Sequence, residues 1–463
     1  MDLVYELREI VGKEYVLDKY EEILPYSRDA SIFEGKLPKA VVLPRTSHEI
    51  SKILRFATEN KIPVTVRGGG SSLVGGSVLV EDGIIISMAR FDRILEINIE
   101  NRYVVAEAGV KLDFLNDNLK KYNHFYPPDP ASSITATVGG SINTNAGGLR
   151  TVMYGATKEW VLGMEVVLPT GEIVQLGGKV LKRALGYDLT SLFIGSEGTL
   201  GIITEAILKI APLPESTGRI LSYYEDIENA GRAVSLLKRK GYTPYIAEFM
   251  DRIAMDSITK VRGIKFPEKA RYLILVDVAS TKESLKRMMD EFENVIKETS
   301  PLTIKKTIDP VEMDEMYQAR KGLYSSQLLE RKSPDEYIII GDVIVPASEL
   351  PSALKEMDEK IRSSGFRATL FGHIGDGNIH ANIFVNPKDR TMMENVFRLL
   401  FDLGLIALKH GGSVSSEHGI GLEKKDLIME EMKFKNSMKN IEIMKNVKGI
   451  LDPANIMNRG KLI

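Results

Sequence analysis

Three of the chain's six histidines lie in two short glycine-containing segments of its last quarter. The first segment contains His373 and His380, and the second contains Glu417 and His418. Asp376-Gly377 is a strong signal for a two-residue hairpin turn, which would place His373 opposite His380. Opposed residues on one face of a hairpin have Cβ atoms roughly 4.5–5.5 Å apart. Two imidazoles at that distance, joined by a carboxylate from elsewhere, predict a divalent-metal site with open positions. The simpler alternative is a pair of histidines in surface turns.

Glycine is concentrated in three segments of the first half of the chain, at 67–76, 139–148 and 195–201. Glycine lets the backbone approach a ligand closely, and successive N–H groups can then point into one concavity. A pyrophosphate is a natural guest of such a concavity. One such segment is weak evidence, and none of the three matches a phosphate-binding Walker loop or a Gly-x-Gly-x-x-Gly fingerprint. Together they predict one long ligand, such as a dinucleotide, that is enclosed from several sides.

Composition excludes several classes of function. The net charge is −2 and the sequence pI is near 6.4, so we expect no nucleic-acid binding. The 463-residue chain has no cysteine, which excludes disulfides, a Cys-ligated iron–sulfur cluster, a catalytic thiol and a cysteinyl link to a cofactor. The N-terminus lacks the pattern of a signal peptide, and no run approaches the ~20 apolar residues of a membrane span. We expect a cytoplasmic protein, with attachment to the inner face of the membrane through a partner as the alternative.

Proline and hydrophobic periodicity divide the chain near residue 214. The stretch 212–216 (PLPES) is the clearest linker signal. Strands and glycine-rich segments precede it, and strands alternating with helices follow it. The periodicity predicts a helix over 46–60 that is capped by Thr46 or Ser47, and a strand over 368–373 that leads into the histidine segment. We therefore expect two domains.

In combination these motifs resemble those of FAD-linked 2-hydroxy-acid oxidoreductases of the vanillyl-alcohol-oxidase-type superfamily. Members include D-lactate dehydrogenases, the flavin subunit of glycolate oxidase and D-2-hydroxyglutarate dehydrogenase. The similarity covers almost the whole chain and implies an α+β fold, with a vanillyl-alcohol-oxidase-type FAD-binding domain and an α/β cap domain. The expected FAD-binding domain is 1–214, completed by the tail 413–463, which carries Glu417 and His418. The expected cap, or substrate domain, is 215–412.

The resemblance implies which residues contact FAD. They come from the three glycine segments, from the stretch after Pro127 and from the tail. They are Arg67, Gly68, Gly69, Gly70, Ser71, Ser72, Gly75, Pro128, Asp129, Ser132, Gly139, Gly140, Ser141, Asn143, Asn145, Gly147, Gly148, Glu197, Gly198, Gly201, Ile203 and Asn458. Relatives that attach FAD covalently carry a histidine in the first segment, where this chain has 69–71 (Gly-Gly-Ser), so FAD is expected to be non-covalent.

The resemblance also implies a metal site. His373, His380 and Glu417 are the expected ligands of one divalent ion. Zn²⁺ is the first expectation, and Mn²⁺ and Fe²⁺ are the alternatives.

Three further residues match positions that act on substrate in the family. His418 is the expected general base, Asn382 the expected substrate contact, and Arg320 the expected partner of the substrate carboxylate. Dehydrogenases of dicarboxylates carry a threonine and a lysine where this chain has Tyr324 and Ile340. The substrate is therefore expected to be small or apolar.

The expected activity is oxidation of a 2-hydroxy acid, such as D-lactate or glycolate, to the 2-oxo acid by metal-assisted hydride transfer to flavin N5. The alternatives are a metal-dependent hydrolase without flavin and a non-catalytic flavoprotein subunit of an electron-transfer complex. The expected electron acceptor is an electron-transfer flavoprotein, a quinone or a separate iron–sulfur subunit, and a homodimer is a candidate assembly.

Overall fold

The computed structural model describes residues 2–463, which form two compact units. Within these residues, the first unit comprises the chain up to 147, residues 156–213 and residues 417–463, and the second comprises 148–155 and 214–416. Residues 413–416 thus belong to the second unit rather than to the tail of the first. The reason is that Ser413 forms a β-bridge with Ile344 of the second unit. Residues 148–155 join the same unit because Leu149, Met153 and Tyr154 pack into its apolar core.

The elements of both units are numbered together in chain order. The helices of the first unit are α1 (Leu3–Val11), α2 (Tyr20–Ile23), α3 (Ser47–Glu59), α4 (Leu112–Lys120), α5 (Val138–Thr144), α7 (Leu189–Phe193), α15 (Lys425–Phe434) and α16 (Lys439–Leu451), with 3₁₀ turns at Lys13–Tyr15, Leu24–Ser27 and Thr157–Trp160. Its strands are β1 (Val16–Leu17), β2 (Ala40–Val42), β3 (Val64–Arg67), β4 (Ile84–Ser87), β5 (Ile94–Asn98), β6 (Tyr103–Glu107), β7 (His124–Phe125), β8 (Val161–Val167), β9 (Ile173–Gly177), β10 (Ile202–Lys209) and β11 (Ala211–Pro212).

The first unit contains two larger sheets around one apolar core. One sheet has the order β1-β2-β4-β3, with parallel pairing of β4 to both β2 and β3. The helix α3 follows β2, and Thr46 caps it by accepting a hydrogen bond from the backbone N–H of Glu49, as the sequence predicts. The second sheet is antiparallel, with the order β5-β6-β10-β8-β9. These two sheets hold the ends of the glycine segments in fixed positions.

The second glycine segment is partly helical rather than a continuous loop. Residues 138–144 form α5, which Thr137 caps by accepting from the N–H of Gly140. Asn145 ends the helix with a left-handed conformation, φ 52°.

The second unit is a seven-stranded antiparallel sheet with helices packed against it. The sheet order is β15-β12-β14-β13-β17-β18-β16. Its strands are β12 (Ser216–Tyr224), β13 (Ile246–Asp251), β14 (Tyr272–Ser280), β15 (Thr303–Thr307), β16 (Tyr337–Ile344), β17 (Ala368–Gly372) and β18 (Asn378–Val385). Its helices are α6 (Thr151–Tyr154), α8 (Ile227–Arg239), α9 (Arg252–Arg262), α10 (Lys282–Lys297), α11 (Pro310–Lys321), α12 (Leu323–Leu328), α13 (Leu350–Ser364) and α14 (Arg390–Lys409). Both units combine helices with sheets, so the chain has the predicted α+β character.

The predicted register of the histidine hairpin is wrong. In the β17–β18 ladder His380 lies opposite Phe371, and His373 lies outside the ladder, in the loop that joins the strands. The reason is a long-range contact: the N–H of Gly375 donates to the carbonyl of Ala247 on β13, 3.1 Å away. That bond ties the loop to β13. The N–H of Asn378 donates to the carbonyl of His373 at 3.3 Å, so residues 374–377 form the loop instead of a two-residue turn.

None of the helices between residues 2 and 463 is long and apolar enough to cross a membrane.

Candidate functional site

The three glycine segments meet within the first unit. The first packs on the stretch before α5, because a Cβ at Gly69 would collide with the carbonyl oxygen of Thr135. The second and third are joined by Asn143, whose side-chain oxygen accepts from the N–H of Gly198 at 3.0 Å. Its carbonyl oxygen accepts from the N–H of Glu197 at 2.8 Å. The sequence predicted that the three segments enclose one ligand, and in the structure they are in contact with one another.

The first glycine segment presents a row of backbone donors. The N–H groups of Gly68, Gly69, Gly70 and Ser71 make no hydrogen bond to any other group of residues 2–463. Backbone N–H groups that lack a protein partner are rare away from water, and successive ones form anion-binding concavities. Gly69 is exposed and the other three residues are half-buried, so a ligand can reach these groups. The donor set fits the pyrophosphate of FAD.

Other predicted FAD contacts are engaged by the protein itself. Arg67 donates to the carbonyl of Arg28 at 2.7 Å, and burial lowers the pKa of its guanidinium. Asn458 donates to the carbonyls of Gly76 and Glu197, while its Oδ1 accepts from Thr65 and Lys461. Its side chain therefore fastens the tail to the first and third glycine segments.

The remaining predicted FAD contacts occupy varied surroundings. Ile203 lies on β10, with its side chain in the apolar core of the first unit. Asn145 accepts from the N–H of Lys158, and the carbonyl of Ser132 accepts from Thr135 and Ala136. Buried positions are occupied by Pro128, Asp129, Gly139, Ser141, Gly147, Glu197, Gly198 and Gly201, and half-buried ones by Ser72 and Gly140. Gly75 is buried in the first unit, whereas Gly148 belongs to the second.

Glu197 holds the segment that carries Glu417 and His418. Its Oε1 accepts from the N–H of Ile420 at 2.7 Å, and its Oε2 accepts from the N–H of Gly421 at 2.8 Å. Only 7% of Glu197 is exposed, and burial raises the pKa of its carboxyl against the opposing effect of the two donors. Within this segment, Nε2 of His418 lies 3.5 Å from Oε1 of Glu417.

His373 and His380 lie together in the second unit. Their rings are perpendicular, with centroids 5.5 Å apart, and both side chains are buried. Nδ1 of His373 is 2.8 Å from Oε1 of Glu248, and Nδ1 of His380 is 3.2 Å from the carbonyl of Gly341. Carboxylate and carbonyl oxygens only accept, so both imidazoles donate through Nδ1. Nε2 of each ring is then the nitrogen that carries the lone pair, an arrangement also found in histidines that bind metal ions.

Asp342 is a second buried carboxylate beside these rings. Its Oδ1 is 3.9 Å from Nδ1 of His380 and accepts from the amide of Asn378 at 2.8 Å. Its Oδ2 accepts from the hydroxyl of Ser415 and the N–H of Ser416, at 3.1 and 3.0 Å. Asp342 thereby fixes the second unit's last residues beside β16 and β18.

Arg320 is buried near His373. Its Nη2 lies 2.6 Å from Oε2 of Glu248, and its guanidinium stacks over Phe371 at 4.8 Å from the ring centroid. Its Nε and Nη2 make no hydrogen bond of good geometry to residues 2–463. A buried guanidinium with donors to spare fits a planar anion such as a carboxylate.

Asn382 is held by two side chains that the sequence did not single out. Its Nδ2 donates to Oε1 of Gln327 at 2.6 Å, and Nε2 of Gln327 donates to the hydroxyl of Thr369 at 2.6 Å. All three residues are fully buried, and Oδ1 of Asn382 has no partner among the described residues. Gln327 thus sets the orientation of Asn382.

Sequence reasoning missed Glu248, Asp342, Gln327 and the anchoring role of Glu197. A usable signal existed for two of them. Asp342 is the single acid of β16, and Glu248 is one of two acids, with Asp251, in the otherwise apolar β13. A buried strand tolerates a carboxylate only where donors meet it.

Two protein-family models and several curated relatives match this chain. The family "FAD linked oxidases, C-terminal domain" matches residues 213–462, and "FAD binding domain" matches residues 38–177. The glycolate oxidase subunit GlcD of Bacillus subtilis is 36% identical over 462 residues, covering 100% of this chain and 96% of that protein. A D-lactate dehydrogenase of Anaerostipes hadrus is 33% identical, covering 96% of this chain and 97% of that protein.

Solved structures share the fold at low sequence identity. The structure of p-cresol methylhydroxylase with substrate bound matches with a TM-score of 0.80 at 17% identity, covering 99% of this chain and 96% of that chain. The 4-ethylphenol oxidase from Gulosibacter chungangensis matches with a TM-score of 0.79 at 18% identity and the same coverages. The chain therefore belongs to the FAD-linked oxidases of the vanillyl-alcohol-oxidase-type superfamily, and it is an FAD-linked oxidoreductase of the glycolate oxidase and D-lactate dehydrogenase kind.

Proposed function

We propose that this protein is a dehydrogenase that oxidises a small 2-hydroxy monocarboxylic acid, such as D-lactate or glycolate, to the 2-oxo acid with non-covalent FAD and a divalent metal ion. The observation that carries the proposal is the buried group of Arg320, Glu248 and His373, in which a guanidinium with spare donors lies beside an oriented imidazole. The relatives named for glycolate and D-lactate support the substrate class.

Arg320 and Asn382 would bind the substrate. Nε of the planar guanidinium can donate to the substrate carboxylate in a charge-assisted bond that orients the molecule, while Nη2 lies against Glu248. The carboxamide oxygen of Asn382 can accept from a substrate hydroxyl, because Gln327 already accepts from its amide nitrogen. Both residues come from one unit, so substrate orientation would depend mainly on the second unit.

His373, His380 and Glu417 would hold the metal. The two imidazoles supply Nε2, and Glu417 is joined by a peptide bond to Ser416, whose N–H binds the buried Asp342. Asn378, Ser415 and Ser416 keep Asp342 in place. A divalent ion at such a site lowers the pKa of a bound hydroxyl group. Zn²⁺ suits two imidazoles and one carboxylate, and Mn²⁺ and Fe²⁺ are the alternatives.

His418 would take the proton of the substrate hydroxyl. It directly follows Glu417, and neighbours in an extended segment point to opposite sides, so the two side chains need a bend to serve one site. The backbone bends at residues 416–418, and Gly419 follows with φ +83°. The two hydrogen bonds to Glu197 then fix Ile420 and Gly421. An imidazole is the usual general base near neutral pH. FAD, when bound, supplies the acceptor for the hydride that leaves the carbon bearing the hydroxyl.

The surroundings of Asn382 favour a substrate without a second carboxylate. Ile340 lies directly opposite Asn382 in the β16–β18 ladder. A lysine at that position would offer a cation, whereas isoleucine offers an apolar surface. Tyr324 lies on α12, and burial raises the pKa of its hydroxyl, so it stays neutral. Neither residue provides a charge for a dicarboxylate.

Family membership argues against the two alternative functions. A hydrolase that works without flavin has no use for an FAD-binding domain. A non-catalytic subunit has no need for a buried arginine with spare donors beside two oriented imidazoles. The chain lacks cysteine and so has no Cys-ligated cluster, and electrons would pass to an electron-transfer flavoprotein, a quinone or a separate iron–sulfur subunit.

The test is anaerobic mixing of the FAD-loaded protein with both enantiomers of lactate, with glycolate and with D-2-hydroxyglutarate, while flavin absorbance is followed. Fast bleaching by D-lactate or glycolate, with slow bleaching by D-2-hydroxyglutarate, is the expected result. A chelator should slow the reaction, and Zn²⁺, Mn²⁺ or Fe²⁺ should restore it. A flavin that no 2-hydroxy acid reduces would refute the proposed activity, and full reduction after complete metal removal would refute the role of the metal.

A further inference from the structure

Glu248 occupies the centre of the group that carries the proposed function, although nothing in that function requires it to touch substrate. It is fully buried on β13, whose neighbours in the sheet are β14 and β17. The ladder places Phe249 opposite Gly372, so the next pair along the antiparallel register is Glu248 and His373. The sheet itself therefore brings this carboxylate to the histidine.

The two oxygens of Glu248 face two different partners. Oε1 is 2.8 Å from Nδ1 of His373, and Oε2 is 2.6 Å from Nη2 of Arg320. Neither partner is exposed by more than a few per cent. A fully buried carboxylate is costly unless charged or hydrogen-bonding groups compensate it, and here both compensating groups are the ones that the proposed function assigns to metal and substrate.

The geometry points to Glu248 as a positioning residue that couples the two halves of the site. Resting on the proposed function, the inference is that one carboxylate fixes both the imidazole that coordinates the metal and the guanidinium that binds the substrate carboxylate. A displacement of Arg320 would then move the carboxylate of Glu248 and, with it, the imidazole of His373. Hydrogen-bonding partners of metal-bound histidines typically alter metal affinity about 10–100-fold when they are removed.

The first variant is Glu248→Gln, which keeps the size of the side chain but removes its charge and one acceptor. One amide oxygen cannot serve both partners. FAD-loaded protein is stripped of metal, and its affinity for Zn²⁺ is measured by competition with a chromophoric chelator, a readout independent of turnover. We expect affinity to fall by about 10–100-fold with FAD content unchanged.

Asp277→Asn is the matched control. Asp277 is a buried carboxylate on the neighbouring strand β14, and it binds Arg219 through two bonds of 2.6 and 2.7 Å. Burial raises the pKa of its carboxyl. The control therefore removes a charge from an equally buried arginine pair that does not include a histidine. It should leave Zn²⁺ affinity within about twofold of wild type.

A double-mutant cycle separates coupling from a general structural effect. Arg320→Met removes the guanidinium but keeps an apolar stem. In the presence of Glu248, Arg320→Met should alter Zn²⁺ affinity. In the Glu248→Gln background, the fold-change in Zn²⁺ affinity caused by Arg320→Met should be smaller by a factor of about three or more. Two changes that act independently on Zn²⁺ affinity would overturn the coupling.

Further outcomes are equally decisive. Folded Glu248→Gln protein with wild-type Zn²⁺ affinity overturns the inference, and so does an equal loss in Asp277→Asn. If Glu248→Gln does not fold, Glu248→Asp takes its place, since it keeps the charge but is one methylene too short to reach both partners. Normal Zn²⁺ affinity in that variant overturns the inference.

A wild-type protein that binds no divalent ion refutes the metal part of the proposed function and this inference together. A wild-type protein that binds the metal, together with a Glu248→Gln variant of unchanged Zn²⁺ affinity, refutes this inference alone.

Discussion

Replacing Glu197 by glutamine should release the segment that carries Glu417 and His418. The carboxylate accepts one backbone N–H on each oxygen, from Ile420 at 2.7 Å and from Gly421 at 2.8 Å. A glutamine retains one acceptor and turns an NH₂ group toward the other N–H. An unpaired buried donor costs roughly 1–3 kcal/mol. At about 1.4 kcal/mol per factor of ten, the ratio of closed to open segment should fall roughly 5- to 150-fold.

Amide hydrogen exchange measures this ratio directly, because the two amides exchange only when the segment opens. Protection of Ile420 and Gly421 should fall by the factor above, and flavin reduction by substrate should slow. Glu107→Gln is the control, since Glu107 is also buried in the first unit but binds Arg45 and Arg93. Unchanged protection in folded Glu197→Gln protein would refute the reasoning.

Three other outcomes follow from the structure. Burial raises the pKa of Asp251 to about 7, so its contribution to stability is complete below the pKa of the unfolded carboxyl and is lost as the pH rises through about 7. Asp251→Asn should therefore gain up to about 4 kcal/mol of unfolding free energy relative to wild type between about pH 4 and about pH 8, as measured by urea denaturation, and a constant difference would contradict this. Acid precipitation should leave the yellow flavin in the supernatant, because 69–71 (Gly-Gly-Ser) offers no attachment residue, and colour in the pellet would show a covalent link. His380→Ala should lose the metal and keep FAD. His418→Asn should keep the metal, and its flavin should be reduced about 10²–10⁴-fold more slowly by substrate. Loss of the metal from His418→Asn would show that His418 is a ligand instead.

Local patterns in the sequence predicted the regular elements well. The strand β17 (Ala368–Gly372) ends one residue before the predicted bound of 368–373, and α3 starts one residue after its predicted cap Thr46. Such elements depend on periodicity and capping, which neighbouring residues determine. The helix α5 was not predicted, because glycine is a poor helix former and two glycines occupy its first turn. Its cap at Thr137 and its packing within the first unit outweigh that propensity.

The arrangement of the site could be predicted only in part, because it depends on contacts between distant strands. His373 and His380 do lie together, but the register that the turn signal predicted is wrong by two residues. The N–H of Gly375 donates to the carbonyl of Ala247, and the turn signal could not predict that contact. A turn rule contains no information about β13, which lies more than a hundred residues earlier in the sequence.

Acids in otherwise apolar strands provide part of the missing information. A carboxylate buried without partners costs several kcal/mol, so a strand that carries one must meet donors from elsewhere in the fold. Glu248 on β13 meets His373 and Arg320, and Asp342 on β16 meets Asn378 and the backbone of Ser416. His373 is itself a proposed metal ligand, and Asn378 and Ser416 lie within two residues of the other two, whereas Arg320 is the proposed substrate contact. The sequence therefore marks where the functional side chains must be supported, although the identity of each donor is decided by the order of strands in the sheet.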